Sequence, residues 1–366
     1  MLEVRPQKLD FANMSERQWR DLFKVRTAFH FETQPDTPAQ SFKAMRKSLS
    51  ALPTRRDFVT CWLLYDETAN CVGLCPLQHP KPESPDYDGN KDRVYAEPIV
   101  LKPYRRQGVG TQLLPLVVNY AQSVGATWLQ WDTKLESGFR FSEKLGATEA
   151  GRQRTNRLNA EQIDWDLMQR WADEGQARNP ETKLLRFVNR PDPDLIDPFC
   201  GLVTAVNRFQ PRDKLEGIEY TLTAEEFEKQ VQHLEEGKSK YVVICTRETN
   251  DELSGMTDLI YSEARPSHAK VRLTGVRREQ QGRGLGKWLK AAMMLDMGER
   301  YSKVEFVETD NFNTNRPMLS INDRMGFKLH EQYIFYKMRV SDVAAKINKP
   351  HARSFSKSHT MDSVTR

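Results

Sequence analysis

The chain has no apolar run near the roughly 18 residues that a membrane-spanning helix requires. Its opening residues, MLEVRPQKLD, place Glu3, Arg5, Lys8 and Asp10 where a secretory signal would be apolar. No membrane association or export is expected, and a cytoplasmic location is. Cysteine is scarce: Cys61, Cys71, Cys75, Cys200 and Cys245 are odd in number, scattered, and form no CxxC pair. They read as reduced thiols, not as a disulfide framework. The seven histidines form no HxxxH or Cys/His cluster, so no zinc or iron site is expected. A marked excess of one charge is also missing. Lys and Arg number 55 against 50 Asp and Glu, a net +5. Five of the cations (Lys346, Lys349, Arg353, Lys357 and Arg366) lie in residues 346–366 beside one acid, Asp362, so the body stands near +1. That excludes a basic footprint for nucleic acid spread over the domains. The segment 346–366, rich in Ser, Thr and charge, reads as a basic disordered tail. What is present is an ordinary globular mix, 38% hydrophobic and 29% charged over 366 residues, enough for two domains.

The informative feature is an internal repeat. VYAEPIVLKPYRRQGVGTQLLPLVVNYAQSVGATWLQWDT and KVRLTGVRREQQGRGLGKWLKAAMMLDMGERYSKVEFVETD share one plan: a β-rich run, a basic turn ending in Gly-x-Gly, an amphipathic helix, and a second β-rich run. Gly108 and Gly284 are 176 residues apart, as are Gly110 and Gly286. A period near half the chain is too long for a solenoid and indicates a duplicated domain. Leu285, Trp288, Leu289, Ala292 and Met293 follow i, i+3, i+4, i+7, i+8, one buried helical face. Gly110, Leu113, Leu114, Val117 and Ala121 keep a similar rhythm, with Pro115 predicting a kink or delayed first turn. Strands are expected at 94–100 and 127–131, and again at 271–276 and 304–307; strand, helix, strand at this spacing implies a crossover and parallel neighbours. Upstream of each copy come two helical stretches (15–32 and 38–52; 194–209 and 223–236) and a hairpin region (57–75; 240–261). The expected organisation is an N-terminal domain over 1–165, a connecting helix and linker over 166–182, a C-terminal domain over 183–345, and the tail over 346–366.

A helix N-terminus presents unpaired N–H groups and about half a positive charge, which suits an anion. Glycines let the backbone curl closely around a phosphate. Arg105, Arg106, Arg277, Arg278, Arg283 and Lys287 flank the two turns. A phosphate or pyrophosphate ligand is therefore expected. The dinucleotide GxGxxG fails: the first copy has no third glycine, and Gly282, Gly284 and Gly286 fall at the wrong intervals. GxxxxGK[ST] is absent.

Arg105-Arg106-Gln107-Gly108-Val109-Gly110 and Gln281-Gly282-Arg283-Gly284-Leu285-Gly286 resemble the (Gln/Arg)-x-x-Gly-x-(Gly/Ala) signature of the GNAT superfamily of acyl-CoA-dependent N-acyltransferases. TDNFNTNRPMLSINDRMGF resembles that superfamily's next motif, with Asn315, Met318, Gly326 and Phe327 at its intervals; ESGFRFSEKLGA, with Gly146, is a worn first copy. The tandem plan is similar to that of mycothiol synthases. The resemblance implies an α/β fold of two GNAT-like domains, each a mixed sheet splayed between its fourth and fifth strands and flanked by helices. It implies acetyl-CoA as co-substrate in the splay. Diphosphate would rest on Gln281, Gly282, Arg283, Gly284, Leu285, Gly286 and Lys287, and pantetheine near Val276, Asn311 and Asn315. The first copy offers Val100, Arg105, Arg106, Gln107, Gly108, Val109, Gly110 and Thr111 for the same purpose. Asn315 also suits an N-cap for the helix that follows it.

Acetyl transfer to an amine requires a free-base nucleophile. A coenzyme A thiol, with pKa about 8.5, leaves readily, whereas freeing a lysine-like amine of pKa about 10.4 near pH 7 costs about 4.6 kcal/mol. Deprotonation is the heavier demand. The superfamily pattern often puts an acid tyrosine four residues before the closing glycine; here Asn322 and Ser142 stand there. Candidates for the base are Tyr261 and Asp258, whose hairpin is expected to face the acyl end, and Glu97 on the strand before the first turn. Glu305 and Glu308 also lie on or beside predicted strands. The fuller motif set places catalysis, with a small-molecule primary amine as acceptor, in the C-terminal domain. A non-catalytic acyl-CoA sensor is the competing reading. A third, an aminoacyl transferase using charged tRNA, is opposed by the near-neutral body and the intact turns.

Overall fold

The computed structural model describes residues 1–50, 57–215 and 220–347; the tail beyond Ile347 and the end of the expected 38–52 helix lie outside them. The N-terminal half begins with β1 (Arg5–Lys8), α1 (Glu16–Thr33) and α2 (Phe42–Ser50). The Ser15 side chain and Gln18 close a capping box on α1. Then follow β2 (Asp57–Tyr65), β3 (Cys71–Pro80), α3 (Tyr87–Asn90), β4 (Arg93–Ala96) and β5 (Ile99–Val100). The helix after the first glycine turn is divided into α4 (Val109–Gln112) and α5 (Leu114–Ser123), with Pro115 in the first turn of α5. That is the delayed start Pro115 predicts, since proline has no N–H to continue the ladder. β6 (Trp128–Thr133), α6 (Glu136–Leu145) and β7 (Thr148–Asn159) complete the half, and α7 (Trp165–Arg178) connects it onward.

The second half runs β8 (Lys183–Val188), α8 (Ile196–Arg208), α9 (Ala224–Glu236), β9 (Ser239–Arg247), β10 (Leu253–Ser262) and β11 (Arg265–Val276). It ends with α10 (Leu285–Arg300), β12 (Phe306–Phe312), α11 (Arg316–Met325), β13 (Lys328–Arg339) and α12 (Val340–Ile347). Thr223 and Glu226 form a second capping box, on α9. The expected tail starts at residue 346, whereas α12 runs through Ile347.

The strands form one mixed sheet in the order β1-β2-β3-β4-β6-β13-β7-β12-β11-β10-β9-β8, with β5 on β3. The last strand of each half is thus exchanged. β13 pairs with β6 over Ile334–Arg339, and β7 pairs with β12 over Gln153–Asn159. β7 and β13 then pair with each other, antiparallel, at the centre. The cores follow the exchange: Met338, Val340 and Val343 are buried with Val94, Val117 and Leu129 of the first half, while Leu158 and Ile163 are buried with Val271, Leu289 and Val307 of the second. Burying one such side chain stabilises by about 1.5–3 kcal/mol. Each half therefore draws part of its core from the other.

Polar contacts reinforce the seam. Glu308 of β12 accepts from Arg157 of β7 at 2.7 Å and from His268 of β11 at 3.0 Å, and Arg157 also reaches Asp36 at 3.1 Å. Burial pushes the Glu308 carboxyl up, but the bonds from His268 and Arg157 outweigh it and hold the pKa down to about 2, against an ordinary 4.5. A depressed acid stabilises the fold above its unfolded pKa and loses that contribution as pH falls through the folded one. The stability difference between wild type and Glu308→Gln should shrink by about 3 kcal/mol between pH 5 and pH 2. Urea unfolding at both pH values checks this; a constant difference would contradict it.

Candidate active site

The N-terminal half opens into a cavity of about 650 Å³. Its geometry begins with Pro98. Proline lacks an N–H and restrains the residue before it, so β4 stops at Ala96 and pairing resumes only at Ile99. The interruption leaves β5 on β3, where the Ile99 carbonyl lies so close to Gly73 that a Cβ there would overlap it. Parallel pairing of β4 with β6 ends at Tyr95 and Gln130, and beyond it the two strands diverge. The cavity fills that divergence. Glu97 and Pro98 line one side, Asp132 and Thr133 the other, and Phe29, His30 and Thr33 of α1 close one end. Tyr333 of β13 and Val343 of α12 also line it, so the exchanged elements help build the site.

At the other end lies the glycine turn. Gly108 has φ +89°, a conformation costly for any residue with a Cβ, and forms the N-cap of α4. Gly108, Val109, Gly110, Thr111, Arg106, Arg105 and Val100 all line the cavity; Gln107 does not, and its side chain donates to the Pro103 carbonyl at 2.8 Å. Arg105 holds the turn from behind: its guanidinium donates to both Glu32 oxygens at 2.7 and 2.6 Å and to the Val100 carbonyl at 2.7 Å. Its charge is therefore already balanced, in contrast to the expectation of an attracting cation. The interaction sets the turn's position relative to α1.

Glu97 has no hydrogen bond or ion pair through its side chain among the described residues, and its carboxyl opens into the cavity. Burial by the surrounding wall raises its pKa, with Arg26 opposing. Asp132 accepts a short hydrogen bond from the Tyr95 hydroxyl. Burial raises its pKa to about 6, with Lys134 opposing. Asp132, Arg26 and Tyr333 escape sequence reasoning, because a polar residue at a strand end or on an amphipathic helix reads as solvent-facing.

The C-terminal half repeats the turn with its polar groups engaged. Gly282 and Gly284 have φ +84° and +82°, and Leu285 is buried at the start of α10. Arg283 is held by Asn179 at 3.0 Å, Thr182 at 2.8 Å and Glu248 at 3.1 Å, and Lys287 by Glu174 at 2.6 Å. Gln281 N–H closes a turn onto the Arg278 carbonyl, and Gly286 faces Ile321 of α11. β11 pairs with β12 only to Val271 and Thr309, so these strands splay too, with Val276 on the free end of β11. Here the opening is bridged. Val206 of α8 packs where a Gly275 Cβ would lie, and Gln210 accepts from Asn315 on the opposite arm at 3.3 Å. Asn315 caps α11 through the Met318 N–H at 3.4 Å. Asn311 accepts from the buried Asn322 at 2.7 Å.

Neither leading base candidate of that half faces a free space. Asp258 is 1% exposed, with one carboxylate oxygen taking the Tyr241 hydroxyl at 2.7 Å and the other the Leu273 N–H at 2.7 Å. It fixes the irregularity where β10 and β11 shift register. Tyr261 is buried and stacks on Tyr301 at 4.5 Å. Of the two residues at the acid tyrosine's place, Ser142 is buried between Trp131 Nε1 and the Gly138 carbonyl, both at 2.9 Å, and Asn322 is buried as described. Among the described residues no group of three or more His, Cys, Asp or Glu could hold a metal, and no helix is long and apolar enough to cross a membrane.

Two splayed sheets, each with a glycine turn and crossover helix at its mouth, define a tandem GNAT architecture. Residues 19–146 match the model of the acetyltransferase (GNAT) family. The first half thus carries a domain matching the acetyltransferase (GNAT) family, whose co-substrate is acetyl-CoA, and the chain as a whole has the tandem GNAT fold. No curated protein matches it in sequence. Among solved structures it is similar to a tandem GNAT protein from the clavulanic acid biosynthesis pathway (TM-score 0.69, 17% identity, covering 92% of this chain and 99% of that one). It is also similar to a GCN5-related N-acetyltransferase from Sphaerobacter thermophilus (TM-score 0.62, 14% identity, 92% and 96% covered). At these identities the likeness is one of fold.

Proposed function

We propose that the N-terminal cavity is the transfer site, moving an acetyl group from acetyl-CoA to a primary amine of a small molecule within a ternary complex. The observation that carries this reading is one continuous cavity joining the Gly108–Thr111 turn to the unpartnered Glu97. The catalytic role expected of the C-terminal half moves to the first half, because Gln210 bridges the second splay and Arg283, Lys287 and Asp258 are engaged within the protein.

The diphosphate rests on the turn amides, with Arg106 beside them. The edge of β5 that faces away from β3 is released by the splay and offers backbone groups to the pantetheine. Glu97 takes the ammonium proton, removing the largest barrier identified above. The free amine then attacks the thioester carbonyl: an N–C bond forms, the C–S bond breaks, and coenzyme A departs as a thiolate that takes up the proton shed by the acylated nitrogen. Its thiol pKa, near 8.5, makes a dedicated acid unnecessary, which agrees with Ser142 being committed to Trp131.

Thr111 is exposed at the mouth of the turn, where a carboxylate would meet the diphosphate while favouring the helix start. Thr111→Glu should weaken acetyl-CoA binding by about tenfold or more, roughly 1.4 kcal/mol, by calorimetry. The corresponding Lys287→Glu should weaken it less. The reverse order would return the transfer site to the second half, and binding by both variants without amine-dependent thiol release would favour a sensor.

A further inference from the structure

The acceptor end of the cavity carries more charge than acetyl transfer needs, and most of it is already matched within the protein. Lys134 donates to both oxygens of Glu331 at 2.9 and 2.8 Å and to the Thr33 carbonyl at 2.6 Å. His30 Nε2 is engaged with the Thr37 carbonyl at 2.8 Å. Apart from Arg106 at the glycine turn and Arg140 and Lys144 on α6, three charged groups of the cavity lining remain. Glu97 has no side-chain partner among the described residues, Asp132 has only the Tyr95 phenol, and Arg26 lines the cavity with no hydrogen bond or ion pair of its own. The two acids are placed against each other by register: each lies two residues beyond the last paired residues, Tyr95 and Gln130, of parallel strands that part at that point. They stand on opposite walls of the same opening.

Taking the N-terminal cavity as the transfer site, we propose that the acceptor is a small diamino carboxylic acid, with one ammonium at Glu97, the second at Asp132, and its carboxylate on Arg26. Two carboxylates and one guanidinium are complemented by two ammonium groups and one carboxylate. A plain diamine leaves Arg26 unanswered, and a monoamino acid leaves Asp132 unanswered. Once an acceptor fills the cavity, a charged lining group that it leaves unpaired loses hydration without recompense, so each omission weakens binding. Burial already raises both carboxyl pKa values, and an arriving ammonium reverses that effect. Glu97 serves as the base because it has no prior partner; Asp132, oriented by Tyr95, positions the acceptor.

The test is acceptor-dependent thiol release by the full chain with acetyl-CoA, comparing L-lysine and L-ornithine with cadaverine and putrescine, which lack the carboxylate, and with L-norleucine and L-norvaline, which lack the second amine. The diamino acids should exceed both other sets in kcat/KM by about 10- to 100-fold. Asp132→Asn should bring the lysine-to-norleucine ratio toward one, and Arg26→Gln the lysine-to-cadaverine ratio, each mainly through the acceptor KM. Norleucine or cadaverine used as well as lysine, or ratios that survive these substitutions, would overturn the proposal. So would an absence of turnover with either diamino acid in a protein whose acetyl-CoA binding remains sensitive to Thr111→Glu. Insensitivity of that binding would instead remove the underlying reading of the N-terminal site.

Discussion

Glu97→Gln is expected to lower kcat for acetyl transfer by about 10²- to 10⁴-fold while leaving acetyl-CoA affinity within about threefold, since it removes the base and keeps the volume. The amine must be freed at a cost near 4.6 kcal/mol, and no other cavity carboxylate lacks a hydrogen-bond partner among the described residues. The pH profile carries a second signature. A base works only when ionised, and burial raises the Glu97 pKa. Wild-type kcat/KM should therefore climb with pH through a step above the ordinary carboxylate range, and Glu97→Gln should lose that step. Stopped-flow thiol detection over pH 4.5–9 measures both. A variant with wild-type kcat and an unchanged acidic limb would assign the base elsewhere.

The second large effect concerns assembly. Residues 1–182 and 183–366, expressed separately, should each fail to give a cooperative unfolding transition, and mixed they should recover one. Without β13 and α12 the first fragment loses the strand on β6 together with Met338, Val340 and Val343; without β7 the second loses the partner of β12 together with Leu158. Losing several buried side chains at about 1.5–3 kcal/mol each is comparable to a domain's whole stability of about 5–15 kcal/mol. Circular dichroism during urea unfolding decides it. A sharp transition in residues 183–366 alone would show that the exchange is dispensable.

The exchange marks where sequence reading stops. Periodicity shows two copies and places α1, α8, α9, α10 and the glycine turns to within a few residues, because caps, heptad-like spacing and turn chemistry are local. Which copy's last strand lies beside β6 is decided by pairing across about 200 residues, and β7 and β13 look alike to either neighbour. The site divides in the same way. Gly108, Gly284 and Glu97 are legible from their neighbours, and Pro98 explains why Glu97 is free. The second half has the fuller motif, Gln281 through Phe327, yet what distinguishes the two mouths is Gln210 at the end of α8, more than 60 residues from Gly275 and about 100 from Asn315. Asp258 reads as an acid on a strand; only the fold shows it capping Leu273 N–H. Arg105 likewise reads as a phosphate-seeking cation until α1 brings Glu32 to it.

The account depends above all on acetyl-CoA entering the first splay. Amide hydrogen exchange of the full chain, with and without saturating acetyl-CoA, tests this directly. Slower exchange concentrated in residues 99–114 and 132–141, with residues 276–290 little changed, is the predicted result. Protection confined to 276–290 would contradict it.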